Sequence, residues 1–254
     1  FWGRFDREGA VRLARVLRLY LASPLLDALS DTPDANLRKF FLHVLGNMGG
    51  EVISEAIRRL NDNRWYVVRN MIYLLREYGR KEYLKHVRPF TRDKNKRVRI
   101  EALKTLLHYG DREGTSCLKA YLKGDDPELM EQATTLSGTY RVKDVVPDLI
   151  ELLEKKDVIG SETYHKIPVI RALAQIGDTR AIEPLKRLYT SKSLFFRSAL
   201  NELKVEIFKT LKGYPADAVR PLLELGLKSK NMEVASISEK LLSELYPSED
   251  KESG

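Results

Sequence analysis

Residues 62–79 read Asp62-Asn63-Arg64-Trp65-Tyr66-Val67-Val68-Arg69-Asn70-Met71-Ile72-Tyr73-Leu74-Leu75-Arg76-Glu77-Tyr78-Gly79. Trp65, Val68, Ile72 and Leu75 fall at i, i+3, i+7 and i+10, which puts them on one stripe of an α-helix. The opening Asp62-Asn63 offers acceptors to the orphan N–H groups of the first turn, and Gly79 offers the left-handed conformation that closes the last one. A helix this short, apolar on one side, is stable only against a neighbour.

The same sentence recurs on both sides of this stretch. Acidic turns stand at Asp31-Thr32-Pro33-Asp34, Asp62-Asn63, Asp93-Lys94-Asn95 and Asp125-Asp126-Pro127, so the leading Asp returns after 31, 31 and 32 residues. Each is followed by an apolar residue and a charge, at Leu37-Arg38, Val68-Arg69, Val98-Arg99 and Met130-Glu131. Stops follow at Gly49, Gly79, Gly110 and, less typically, Arg141, each before a second short apolar-periodic stretch. Val98, Ala102 and Leu106 repeat the stripe at i, i+4, i+8. Each unit is a helical hairpin, and no stretch alternates with the period of a strand. Hairpins that cannot bury both faces alone must stack, which predicts an all-α chain: a right-handed α-solenoid of about seven hairpins.

Further along stands Arg171-Ala172-Leu173-Ala174-Gln175-Ile176-Gly177-Asp178-Thr179-Arg180-Ala181-Ile182-Glu183-Pro184-Leu185. With the Val-Arg pairs and Pro89, Pro147, Pro184 and Pro221, it resembles the HEAT-repeat family, in particular a bacterial branch related to the phycobilin-lyase repeats. The resemblance covers roughly residues 31 to 245. It implies first helices on a convex surface (about 51–61, 81–92, 112–123, 144–155, 179–190 and 216–228). Second helices would line a concave one (about 34–48, 64–78, 95–109, 127–139, 162–176, 195–212 and 231–245). The expected organisation is an N-terminal capping segment over 1–30, a solenoid over 31–246 and a disordered tail over 247–254, whose last eight residues carry no apolar group. Repeat four departs from the pattern with Glu131, and Lys155 to Ser161 lengthens its exit. Pro168 should kink or delay the helix it falls in, and helix 195–212 reads longer than its equivalents.

Composition narrows the function classes. The 254 residues hold 43% apolar side chains, 44 Lys plus Arg against 36 Asp plus Glu, four His and one Cys, which is the profile of a globular chain. Charge breaks every long apolar stretch, so no membrane insertion is expected. Cys117 alone makes no intramolecular disulfide, and the sequence has no Asn-x-Ser/Thr sequon and no signal peptide, so the reading is a reducing cytoplasm. The first residue is Phe, and we read the chain as a module of a larger bacterial protein in which Phe1, Trp2 and Phe5 pack on the first repeat or mark a junction.

Charge is concentrated in the middle. From Arg58 to Lys123 there are 18 Lys or Arg and seven acids, a balance of +11 against −3 for the remainder. A basic centre steers acidic partners. Off the apolar stripe of helix 64–78 lie Tyr66, Arg69, Asn70, Tyr73 and Arg76 or Glu77. Its neighbours present Arg38, Lys39 and His43 on one side and Lys96, Arg97, Lys104 and His108 on the other. Arg interleaved with Tyr makes a recognition surface. We therefore name Arg38, Lys39, Tyr66, Arg69, Asn70, Tyr73, Arg76, Arg97, Lys104 and His108 as partner-binding residues. The competing reading is a solvated face. The family's Arg after Val pairs with the Asp of an adjacent turn, so the resemblance also offers Arg69 and Arg99 a ladder role.

Catalytic signatures are missing: no phosphate-cradling Gly loop, no nucleophile elbow and no His-Glu-x-x-His. His43, His86, His108 and His165 do not pair at helical spacing, and Cys117 sits beside Leu118 as a small apolar residue. No enzyme, metal site or cofactor is expected. The leading reading is a non-catalytic scaffold that takes an acidic protein on a basic concave face. An alternative is nucleic-acid binding like that of HEAT-like DNA glycosylases, which Asp62-Asn63-Arg64-Trp65 resembles superficially. A third, bilin attachment like that of the phycobilin lyases, rests on the repeat consensus alone.

Overall fold

The computed structural model of the protein describes residues 6–155, 163–191 and 197–247. Among these there are fifteen α-helices and no strand. They are α1 (Arg7–Val16), α2 (Arg18–Asp31), α3 (Ala35–Gly46), α4 (Gly50–Arg58), α5 (Trp65–Tyr78), α6 (Leu84–Val87), α7 (Lys96–His108) and α8 (Arg112–Lys123). The remainder are α9 (Pro127–Thr139), α10 (Val146–Glu154), α11 (Thr163–Ile176), α12 (Ile182–Thr190), α13 (Arg197–Thr210), α14 (Ala216–Leu227) and α15 (Met232–Leu245). Short 3-10 turns at Lys81–Tyr83 and Arg88–Arg92 flank α6, so residues 81–92 wind as one helical segment.

Packing divides the chain into two compact units, Phe1–Cys117 and Leu118–Gly254. In the first, α2, α4 and α6 pack on α3, α5 and α7 respectively, while α5 lies between α3 and α7. In the second, α10, α12 and α14 pack on α11, α13 and α15, and α9, α11, α13 and α15 follow one another side by side. Each unit is thus a short α-solenoid of stacked hairpins, and the helices fall where the repeat period put them. The terminal residues Phe1, Trp2 and Phe5, most of the proposed tail, and the lengthened exit of repeat four after Lys155 lie outside the described residues.

Burial is broader than the sequence stripe. On α5, Val68, Ile72 and Leu75 are buried as expected, but so are Val67, Met71, Leu74 and the polar Asn70, while Trp65 is half-buried. A helix flanked by α3 and α7 and backed by α4 meets protein over more than one stripe. Burying each Val, Leu or Ile contributes about 1.5–3 kcal/mol. In the second unit Ile170, Leu173, Leu185, Phe208 and Leu223 form the equivalent core. Gly138 lets α9 approach α11 closely: a Cβ there would stand 2.9 Å from Ala172 Cα.

The punctuation differs in detail from expectation. The capping acceptors are Asp34, which takes the N–H groups of Asn36 and Leu37 at 2.7 and 2.9 Å, and Asp126 rather than Asp125. Asp62 and Asp93 act two residues early, accepting from the N–H of Arg64 and Asn95, and Asn95 is the true cap of α7. Gly110 is left-handed as expected, and so is Gly177 at the end of α11. Gly79 is not, with φ −83°, and Gly49 (φ 93°) precedes α4 rather than closing α3. The Tyr109 hydroxyl serves the end of α5 instead, lying 2.9 Å from the carbonyl of Arg76 and 3.1 Å from that of Gly79. Pro168 does not interrupt α11, which is continuous from Thr163 to Ile176. The described part of α13 is 14 residues and runs on into a 3-10 turn at Leu211–Gly213, while residues 195 and 196 of the expected helix lie outside the described residues.

Repeat four closes on Arg141 at φ 49°, with its N–H on Gly138 O and the Val142 N–H on Ser137 O, both at 3.0 Å. The same pair of bonds surrounds Gly110. A side chain in this conformation costs about 1–2 kcal/mol, of which glycine's extra chain entropy takes back part. Arg141→Gly should therefore stabilise the protein by up to about 1 kcal/mol in urea unfolding.

The turn carboxylates also set an acid limit. Asp62 is held at about 2 by the Arg64 guanidinium and then by the Arg64 N–H, and Asp178 at about 2 by Arg180 in the same way. Both lie below the unfolded value near 3.9. Their contribution is complete above about pH 4 and is lost as pH falls through about 2. The thermal midpoint should drop over that interval, and Asp178→Asn should flatten the drop.

Candidate functional site

The ten expected site residues all fall on α3, α5 and α7 of the first unit. The structure brings Arg69, Tyr73 and Arg76 of α5 together around an α7 residue that was not among them, Glu101. This carboxylate is buried and accepts from Arg76 Nη1 at 2.5 Å, with Arg69 Nε at 3.9 Å. The Arg76 side chain is only 13% exposed, donates from Nε to Glu77 at 2.9 Å and covers the Tyr73 ring at 4.9 Å. Burial raises the Tyr73 pKa, with Glu77 adding to it, so its hydroxyl remains a donor at neutral pH. Arg76 is therefore a cross-helix tie and not a free recognition group. Asn70, 8% exposed, belongs to the packed side of α5 and leaves the recognition set for the same reason.

A second cluster sits at the N-terminal ends of these helices. The Arg97 guanidinium lies over the Trp65 ring at 5.0 Å, Trp65 meets Tyr66 edge to face at 5.8 Å, and Arg64 stands 5.9 Å from the Tyr66 ring. Tyr66 is 37% exposed and Arg97 is exposed. Arg64 is anchored by Asp62 and reaches Asp31 at 3.5 Å. Trp65 packs against the core at the end of the stripe and offers its ring to Arg97 at the rim. Of the remaining residues, Lys39 and His108 are exposed and Lys104 half-exposed. Among the described residues, Lys39, Arg97 and Lys104 have no carboxylate within 4.0 Å.

The ladder works differently from the resemblance. Arg38 turns back to donate to the carbonyls of Pro33 (2.7 Å) and Thr32 (3.1 Å), and Arg99 donates to the carbonyl of Asp93 at 3.2 Å. Both clamp their own leading turn through its backbone, and neither meets an Asp carboxylate. Arg69 leans to Glu101 on the next helix instead. Arg–Asp pairing one repeat apart occurs at other residues, Arg59 with Asp27 at 2.6 Å and Arg64 with Asp31. Arg38 therefore stands apart from the α5–α7 cluster. Lys39 lines an open cleft of about 710 Å³ along α1 and α3, whose walls include Val11, Arg12, Phe40 and His43.

Sequence reasoning missed Glu101, Arg64, Tyr109 and this cleft. The available signal for Glu101 was its position three residues after Val98, on the flank of α7 that faces α5. Among the described residues no three His, Cys, Asp or Glu come together as a metal site, and no helix is long and apolar enough to cross a membrane.

Stacked hairpins with capped turns and cross-repeat ties extend through both units, and family models locate the pattern. The model for HEAT repeats matches residues 53–137, and that for the PBS lyase HEAT-like repeat matches 169–191. The chain carries HEAT repeats over these two segments. Its repeats place the α3, α5 and α7 residues in register, so that one helix per hairpin supplies the face described above. No curated protein matches the chain. Among solved structures it is similar to two engineered proteins from the Northeast Structural Genomics Consortium. One is 17% identical over 94% of this chain and 73% of its own, with a TM-score of 0.45. The other is 20% identical over 83% and 98%, with a TM-score of 0.44.

The buried tie gives a direct test. Removing one partner of a buried ion pair strands the other charge and costs about 3–5 kcal/mol, whereas replacing both by apolar residues is nearly neutral. Glu101→Ala should lower stability by about 3 kcal/mol in urea unfolding, and Arg76→Leu with Glu101→Leu should recover most of that loss.

Proposed function

We propose that this chain is a non-catalytic protein-binding module of a larger protein, and that it holds an acidic partner segment on the face of α3, α5 and α7. The observation that carries the reading is the Arg97–Trp65–Tyr66 stack. Trp, Tyr and Arg are the residue types that concentrate binding energy at protein interfaces. Here Arg97 is oriented by the Trp65 ring and unneutralised by any carboxylate, so it meets a partner carboxylate with little ordering cost. Lys39 and Lys104 supply charge beside it. The Arg76–Glu101 tie keeps α5 and α7 in register and leaves Arg69 close to balanced. Solenoid repeats offer surface rather than an enclosed pocket, which suits a polypeptide. The single Cys117, with no partner cysteine, accords with a reducing cytoplasm.

The test is capture of a partner by the wild-type chain and by Arg97→Glu with Lys104→Glu, leaving Arg76 intact because its reversal would break the buried tie. Loss of tenfold or more in affinity with an unchanged circular-dichroism melt is expected, since interfacial hot spots cost more than about 1.4 kcal/mol. Tyr66→Ala should weaken capture in the same direction. Equal capture by the reversed face rejects the reading.

A further inference from the structure

The docking face accounts for few of the unpaired cations in the first unit. Arg58, Arg59, Arg64, Arg69 and Arg76 are all engaged by carboxylates. The surplus lies on the other helix layer, in the segment 81–92 that packs on α7. Leu84, Val87 and Thr91 are buried at i, i+3 and i+7 and hold this segment down. Lys81, Lys85, Arg88 and Arg92 are exposed at i, i+4, i+7 and i+11, so one flank presents a cation at every turn, and exposed Lys94 continues the line. Only Arg88 meets acids, Asp111 at 2.8 Å and Glu113 at 3.5 Å. Among the described residues, Lys81, Lys85, Arg92 and Lys94 have no carboxylate within 4.0 Å. Like charges at i, i+3 and i, i+4 destabilise a helix, so folding does not explain the stripe.

We infer that this stripe is a second binding surface, independent of the α3–α5–α7 face, and that it takes the phosphate backbone of a nucleic-acid duplex. The choice of partner follows from what the stripe lacks. Among the described residues of the first unit, the exposed large apolar side chains are Leu13, Val16, Leu17, Tyr20, Leu37, Tyr66 and Tyr78, none of them within 80–97. A protein interface needs an apolar or aromatic centre and is depleted in Lys. Single-stranded nucleic acid is held by aromatic platforms, and a membrane-surface helix inserts apolar side chains. Duplex phosphates require only cations in a row, here one to two helical turns, or about 5–11 Å, apart. The contacts position a backbone and read no base. Base excision has no support at the other face either, since Asp62 is tied by Arg64 and Trp65 is covered by Arg97.

Fluorescence anisotropy with a labelled duplex of roughly 20 base pairs, between about 50 and 200 mM KCl, tests the inference. Four phosphate contacts predict a log–log salt slope of about −4. Reversal of Lys81, Lys85, Arg92 and Lys94 to Glu should abolish binding without lowering the melting midpoint. The four changed to Gln provide a milder variant that should bring the slope near zero. Arg97→Glu with Lys104→Glu should leave duplex binding intact, which separates this result from the partner-capture test. No binding at the lowest salt, a salt-independent complex, or binding lost only through Arg97 and Lys104 would overturn it. So would tighter binding to phosphatidylserine vesicles than to the duplex.

Discussion

A 14-residue helix that buries seven side chains, as α5 does, needs protein on both flanks and beneath it. No single hairpin supplies this, and the whole architecture follows from the shortage. Each repeat completes its neighbour's core, and stability is distributed as interfaces between successive units. The ion pairs follow the same geometry. Arg59–Asp27, Arg64–Asp31, Arg187–Glu154 and Arg171–Glu206 join residues about one repeat apart. Arg76–Glu101, Arg88–Asp111, Lys123–Asp148 and Lys209–Glu233 join residues somewhat closer in sequence, from one helix to the next. Most of these pairs are solvent-exposed at one end and contribute little individually. Arg76–Glu101 is the buried one, and it fixes how α7 sits against α5.

That tie also decides what the candidate face can do. A large positive balance alone implies a broad basic surface, but Glu101 absorbs Arg76 and draws Arg69 toward it. What remains on the face is localised: Arg97 on its Trp65 platform, with Lys39 and Lys104 beside it. A localised, oriented guanidinium favours specific carboxylate geometry over diffuse attraction.

The helical hairpins were legible in the sequence because their signals are local. Caps such as Asp34, stripes such as Val98-Ala102-Leu106 and the left-handed Gly110 act within one or two turns. Asn70 was misplaced because a helical wheel drawn for one contacting face is too narrow for a helix packed on three sides. Arg76 and Glu101 were illegible for another reason. Their meeting depends on the register between two repeats, and a sequence count records only that one is basic and the other acidic. The Gly79 stop shows the same limit, since Tyr109 from the following repeat caps α5 where a left-handed glycine was expected.

Net charge therefore says little about where a polyanion would dock, while the pairing of each cation says a great deal. On the second-helix layer, arginines predominate and are held by acids, aromatic rings or backbone carbonyls. On the segment 81–92, Lys81, Lys85 and Arg92 have no carboxylate within 4.0 Å among the described residues, and only Arg88 between them is held by acids. The first arrangement exacts its ordering cost during folding and gains geometric selectivity. The second defers that cost to binding, tolerates any regular row of anions and responds steeply to salt. The two proposed surfaces share no side chain, so occupation of one would leave the cations of the other available.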